Sequence, residues 1–298
     1  MNYLVEMKFN NYLILITFFT LWITGFLYDT FHQKLALFLI LTVGMVHGAN
    51  DILIIKKNNP EKFHFGFTIL KYLLYILFFG VLYYFLPRLF LLIFILFSAY
   101  HFGEQHWLDD KKETTVSEKL FAFSYGGFIL TLLLGLNFNE SQQIIQEITS
   151  SVVPLEVYQV SFVFCALLLV VTGVLLFKGR LGLAQNFLRE LLILAVLAII
   201  FERSTILWGF GIYFIIWHSI PSIRSQMLYL YKDTSIKSIF NYFSKSFIYW
   251  FVSICGLMIL IFLFRDDKKL LLSILFPFIA ALTFPHALVI NDMFKKKT

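Results

Sequence analysis

Apolar stretches long enough to cross a membrane fill almost the whole chain, and no other feature limits its fold as strongly. A helix needs roughly 20 apolar residues to cross the hydrocarbon core of a bilayer. The sequence offers ten candidate stretches, of which the seventh is the shortest. They predict spans at about residues 12–28, 35–55, 67–86, 89–107, 120–138, 158–177, 187–201, 205–223, 243–264 and 270–290.

The charged residues are too few for a water-facing surface. Only 14% of the 298 residues are charged, whereas a soluble domain carries about 25%. The two cysteines, Cys165 and Cys255, both lie in apolar stretches, which gives no disulfide framework and no metal-finger spacing. We therefore predict an all-α, polytopic transmembrane helix bundle that forms a single integral membrane domain over residues 1–298.

The basic residues predict the orientation of the bundle. If the N-terminus is cytoplasmic, 16 lysines and arginines fall in cytoplasmic connections and 6 in outer ones. Because cytoplasmic loops carry an excess of these residues, both termini are expected in the cytoplasm of a multi-pass protein of the cell (inner or plasma) membrane. The same loops account for the net charge of +6 without any nucleic-acid partner.

Four of the seven histidines lie inside predicted spans, and their depths agree. His47, His101, His218 and His286 lie on even-numbered spans, which all run in one direction, and each precedes its cytoplasmic basic flank by 6 to 10 residues. At a rise of about 1.5 Å per residue, their depths agree within roughly 6 Å. Ionisable residues in spans usually face the bundle interior, and imidazole is a favoured ligand for iron, zinc and copper. A shared metal site is therefore predicted, with four independent packing histidines as the alternative.

Two carboxylates follow these histidines by about one helical turn. Asp51 lies four residues after His47, and Glu104 lies three residues after His101. Histidine ligands commonly donate their second ring N–H to a carboxylate, so both are expected to support a ligand on their own helix or on a neighbouring one. The alternative is that both are solvated near the cytoplasmic end. The connections hold His32 and His64, which are expected to be solvated or interfacial.

Four segments in this order, GMVHGAND, SAYHFGEQ, WHS and TFPH, resemble the Brp/Blh family of membrane β-carotene 15,15′-dioxygenases. The resemblance implies a non-haem Fe(II) cofactor held by histidines, O₂ as co-substrate, central cleavage of β-carotene into two retinal molecules, and a rhodopsin as recipient of the product. His47, His101 and His218 match the family's first three iron ligands. Its fourth ligand is a histidine four residues after the third, where this chain has Ser222. We expect His286 or water to take that place, unless iron binds weakly or the chemistry has changed.

Aromatic side chains close to the candidate ligands are expected to contact a flat polyene that enters from the bilayer. These residues are Tyr100, Trp107, Tyr213 and Trp217. Membrane helices also use aromatic residues at lipid-facing and interfacial positions, which is the alternative for each of them. No catalytic residue is predicted beyond the metal ligands.

Three other functions compete with carotenoid cleavage. Because Ser222 replaces the family's fourth ligand, the first alternative is a family member that binds carotenoid or retinal without cleaving it, or that acts on another substrate. A transporter with a histidine-lined path would often show inverted repeats, and none is evident. A di-iron desaturase or hydroxylase would use paired His-His motifs, which the sequence lacks.

Overall fold

The computed structural model describes residues 3–108, 113–177, 183–263 and 271–296, and these residues form helices and no strand. Thirteen α-helices follow one another, joined in two places by π-helical segments, Ile40–Gly44 and Tyr213–Ser219. The α-helices are α1 Tyr3–Phe26, α2 Asp29–Leu39, α3 Asp51–Asn58, α4 Phe65–Phe85, α5 Pro87–Trp107, α6 Val116–Leu136, α7 Phe138–Thr149, α8 Leu155–Leu176, α9 Leu183–Glu202, α10 Ile206–Ile212, α11 Ile220–Tyr231, α12 Ile236–Leu263 and α13 Leu271–Lys296.

Nine helical stretches in the described part of the chain are long and apolar enough to cross a membrane, which confirms the predicted polytopic helical bundle. The second predicted span, residues 35–55, is the exception because it is not one continuous helix. Helix α2 passes into the first π segment, the chain turns at residues 47–50, and α3 begins at Asp51. Gly48 and Asn50 lie in this turn, and both residue types have low helix propensity.

The eighth predicted span is continuous and is the most deeply buried of the nine stretches. It runs from α10 through the second π segment into α11, and every residue of that π segment is buried. Ser219 Oγ donates a hydrogen bond of 2.8 Å to the carbonyl of Phe214 inside this segment. Single-turn π segments are frequent at functional sites because they change which side chains face inward.

Helices α5 and α6 approach so closely that their contact requires glycine. A Cβ atom on Gly103 would lie 1.8 Å from the carbonyl oxygen of Ala122, and one on Gly126 would lie 2.0 Å from that of Ala99. Small residues allow such backbone contact between membrane helices. The contact fixes the part of α5 that carries His101.

Helix α4, by contrast, has no buried residue, and α12 is exposed along most of its length.

Candidate metal centre

The four histidines of the spans converge on one buried centre. The ring centroid of His47 lies 4.7 Å from that of His286 and 5.1 Å from that of His218. The ring of His101 lies 4.8 Å from His218 and 5.7 Å from His286. None of the four residues is more than 6% exposed. Four separate segments supply them: the turn after the first π segment, α5, the second π segment and α13.

Several nitrogen atoms of this histidine cluster have no hydrogen-bond partner. They are both ring nitrogens of His101, Nδ1 of His218 and Nε2 of His286, all fully buried. An unpaired buried polar group costs about 1–3 kcal/mol, so native proteins rarely retain one without a bound ion or water. The type, burial and lack of partners of these donors therefore fit a metal ion.

The spacing of the rings agrees with that interpretation. Metal–imidazole bonds are about 2.1 Å long, which would place ring centroids roughly 3.3 Å from the ion and neighbouring centroids roughly 5 Å apart. Among the described residues, no three His, Cys, Asp or Glu side chains already form a closed ligand set around one point. The rings would therefore have to turn within the cluster to bring their nitrogens to one ion.

Hydrogen bonds fix the tautomers of two of the rings. Nδ1 of His47 contacts the carbonyl of Gly44, and a carbonyl can only accept, so Nδ1 carries the hydrogen. Nδ1 of His286 lies 2.8 Å from Oδ1 of Asp51. Tyr72 donates its hydroxyl to Oδ2 of the same carboxylate, also at 2.8 Å. In both rings Nε2 keeps its lone pair for a ligand role.

The two predicted carboxylates have different positions. Asp51 supports a histidine of the cluster, but it does so for His286 on α13 and not for His47 on its own segment. Glu104 accepts hydrogen bonds from the hydroxyl of Tyr100 at 3.0 Å and from Nδ2 of Asn291 at 2.7 Å. Glu104 thus joins α5 to α13, and these bonds do not tie it to a candidate ligand.

Ser222 belongs to a network that holds the turn after the first π segment. Its buried Oγ accepts a hydrogen bond of 3.1 Å from Nε2 of Gln226, which also donates to the carbonyl of His47 at 2.7 Å. Tyr242 on α12 donates its hydroxyl to Oε1 of Gln226 at 2.8 Å. Nδ2 of Asn50 donates back to the carbonyl of Tyr242 at 3.2 Å. The fourth imidazole of the cluster comes from His286.

Sequence reasoning missed Tyr72, Gln226 and Tyr242. The position of Gln226, four residues after Ser222, is the one signal that the sequence offers, because residues four apart lie on the same face of a helix. The sequence carries no comparable signal for Tyr72 and Tyr242, since each reaches the site from a helix that is otherwise largely exposed.

A cavity of about 570 Å³ opens beside the histidine cluster, and His47, Asp51 and His286 lie in its wall. The remaining wall comes mainly from apolar side chains of α4, α12 and α13. Four of its lining residues are 55–62% exposed, so the cavity opens at the apolar surface between α4 and α12. These four are Phe65, Leu73, Ile248 and Val252.

None of the four aromatic residues predicted to contact substrate is among the described residues that line this cavity. Trp217 donates its indole N–H to Thr17 on α1 at 3.0 Å, and the ring of Tyr213 packs 5.4 Å from Phe102. Trp107 packs 5.2 Å from Phe121. Tyr100 bonds to Glu104, as described above. Trp107, Tyr213 and Trp217 thus lie where helices pack together, and the second π segment directs the last two towards α5 and α1.

The other three histidines lie outside the cluster. His32 is 1% exposed and stacks on Trp208 with centroids 4.8 Å apart, so the prediction that it is solvated or interfacial is wrong. His64 is exposed, as expected. His106 bonds to Glu190 at 3.1 Å.

The fold and the site together define a polytopic helical membrane protein with four buried histidines beside an apolar cavity. The family model described as Beta-carotene 15,15'-dioxygenase matches residues 38–294, and the chain belongs to this family. The match confirms the resemblance seen in the sequence and includes all four histidines of the cluster. No curated protein and no solved structure matches the chain.

Replacing Gln226 with methionine tests the network around Ser222. The change keeps the approximate size of the side chain but removes its hydrogen bonds to Ser222, His47 and Tyr242. We expect the free energy of unfolding to fall by about 1–3 kcal/mol, because buried polar groups lose their partners. Unfolding followed by circular dichroism in detergent measures the effect. The matched control is Gln143→Met on the exposed face of α7, and an equal effect of both substitutions would contradict the proposed role of Gln226.

Proposed function

We propose that this protein cleaves β-carotene, or a closely related carotenoid, at its central 15,15′ double bond with O₂ to give two retinal molecules. The double bond breaks, and each of its two carbons receives one oxygen atom of O₂, so the reaction balances without another reductant. Membership of the family supports the reaction class. The observation that carries the proposal is the position of His47 and His286 in the wall of an apolar cavity that opens at the apolar surface between α4 and α12.

Fe(II) is the cofactor that we propose for the histidine cluster. His47, His101, His218 and His286 would hold it, and their buried, unpartnered nitrogens support this assignment. Bound there, Fe(II) would supply the redox chemistry that activates O₂. Asp51 holds Nδ1 of His286, and the carbonyl of Gly44 holds Nδ1 of His47, so that Nε2 of each ring stays available to a metal ion.

The cavity contributes positioning and the exclusion of water. From His286 it extends along α13 to Phe278, which is eight residues and about 12 Å away. Phe65 and Ile69 on α4 also line it. A polyene that lies in this cavity would pass the histidines with carbons on both sides, which favours cleavage near its middle. The apolar walls would keep water from reactive oxygen species.

The opening between α4 and α12 suits a substrate that is dissolved in the membrane. A carotenoid would enter sideways from the bilayer, and retinal would leave through the same opening to reach a membrane recipient such as a rhodopsin. This route requires a protein embedded in a cell membrane. The nine helical stretches of the described residues that are long and apolar enough to cross one support it.

Ser222 favours one alternative function, a family member that binds carotenoid or retinal without cleaving it. A histidine is expected at this position in the family, and here the serine bonds to Gln226. Cleavage requires His286 to supply the fourth imidazole. Binding alone does not require it.

Expression in bacterial cells that accumulate β-carotene distinguishes the two functions. We expect the cells to lose their colour and to accumulate retinal, measured by extraction and chromatography. His47→Ala, His101→Ala, His218→Ala and His286→Ala should each abolish retinal formation, because each removes a proposed iron ligand. His64→Ala, at an exposed position, should leave it unchanged. Retained β-carotene in cells with normal amounts of folded protein would exclude the cleavage reaction.

Replacing Asp51 with asparagine tests how His286 is oriented. The amide keeps the shape of the side chain but loses the charge that strengthens the bond to Nδ1 of His286, so we expect Fe(II) to bind 10–100-fold more weakly. Equilibrium dialysis of the purified protein against Fe(II) measures this change. Glu104→Gln is the matched control, because Glu104 bonds to Tyr100 and Asn291. An unchanged affinity in Asp51→Asn would show that Asp51 does not support the site.

A further inference from the structure

A second cavity approaches the histidine cluster from a different set of helices. It lies between α5, α6, α7, α10 and α13, and its volume is about 80 Å³. We infer that this smaller cavity is a binding site for dioxygen, which it holds beside the cluster while the carotenoid occupies the larger cavity. The use of that dioxygen rests on the proposed function, whereas its binding can be measured without any turnover.

The lining of the smaller cavity suits an apolar guest and not water. Among the described lining residues only Ser98 and Ser141 carry a polar side chain. Ser141 Oγ donates to the carbonyl of Leu134 at 2.9 Å, and Ser98 Oγ is buried without a partner. A buried water needs two to four polar partners, and an apolar cavity of about 150 Å³ is known to stay dry and to bind benzene or xenon. A cavity of half that size suits a small apolar molecule.

Aromatic rings connect the wall of this cavity to the histidines. Phe102 lines it, and the centroid of this ring lies 4.8 Å from that of His218. Phe210 also lines it and stacks on Phe214 at 5.1 Å, and Phe214 in turn stacks on His218 at 5.5 Å. Rotation of one or two phenyl rings would therefore let a diatomic molecule pass from the cavity to the cluster.

The two cavities differ in volume, and each approaches the histidine cluster from a different side. The larger one reaches His47 and His286 directly and also borders Phe214. A carotenoid in it would block that approach to the cluster. The smaller cavity cannot hold a carotenoid, but it keeps a separate path open for a small apolar gas that dissolves in hydrocarbon. Of the two substrates of the proposed reaction, dioxygen is the one that fits.

Paramagnetic relaxation by O₂ itself tests the binding. The full chain, with labelled isoleucine δ1 methyl groups, is placed in lipid nanodiscs and equilibrated with N₂ or with O₂. We expect O₂ to relax the methyl groups of the cavity residues Ile144, Ile145 and Ile148 at least threefold more than those of Ile193 and Ile200. The last two are buried on α9, away from the described lining of both cavities. Equal relaxation at the two sets of methyl groups would overturn the assignment.

A substitution that fills the cavity links binding to turnover. Ile144→Phe should remove the excess relaxation at Ile145 and Ile148 and raise the KM for O₂ at least threefold, with the KM for carotenoid unchanged. Ile193→Phe, an equally large change at a buried position away from both cavities, should do neither. An unchanged KM for O₂ in an active Ile144→Phe variant would overturn the role in turnover. Excess relaxation in a wild-type protein that never cleaves carotenoid would refute the proposed function and leave the dioxygen site standing.

Discussion

Four imidazole rings occupy one small volume inside an apolar bundle, and their need for partners explains much of the surrounding structure. Buried nitrogens without partners are costly, and here four of them lie together on three rings. Nδ1 of His286 donates to Oδ1 of Asp51, and Nδ1 of His47 donates to the carbonyl of Gly44. A metal ion in the middle would bind one nitrogen of each of these three rings, which is why we favour one shared site over four packing residues.

The interrupted second segment follows from the same requirement. His47 lies where the helix stops, and its carbonyl accepts a hydrogen bond from Gln226 in place of a helical one. Irregular backbone at membrane depth is tolerated where it is buried in protein or lines a cavity, and this turn does both. The break also turns Asp51 towards α13, where it reaches His286. Ser222, Gln226 and Tyr242 hold the turn in place.

Hydrophobic length and charge were enough to predict the helical bundle, and the spacing of the histidines from the basic flanks predicted their shared depth. That His47, His101, His218 and His286 also share a centre needed the structure, because depth along a helix does not determine rotation about it. The break at residues 47–50 was missed because apolar residues continue on both sides of it. The contact of Tyr213 and Trp217 with substrate stays a prediction; the π segment places both in helix contacts, which their proximity to His218 in sequence does not indicate.

The claim that four histidines form one iron site is tested most directly by X-ray absorption at the iron K-edge. The purified protein is loaded with Fe(II), and imidazole scattering is compared in the wild type and in His286→Ala. The account predicts four imidazole ligands per iron in the wild type and three in the variant. The same number of imidazole ligands in both proteins would contradict it, because His286 would then lie beside the iron without binding it.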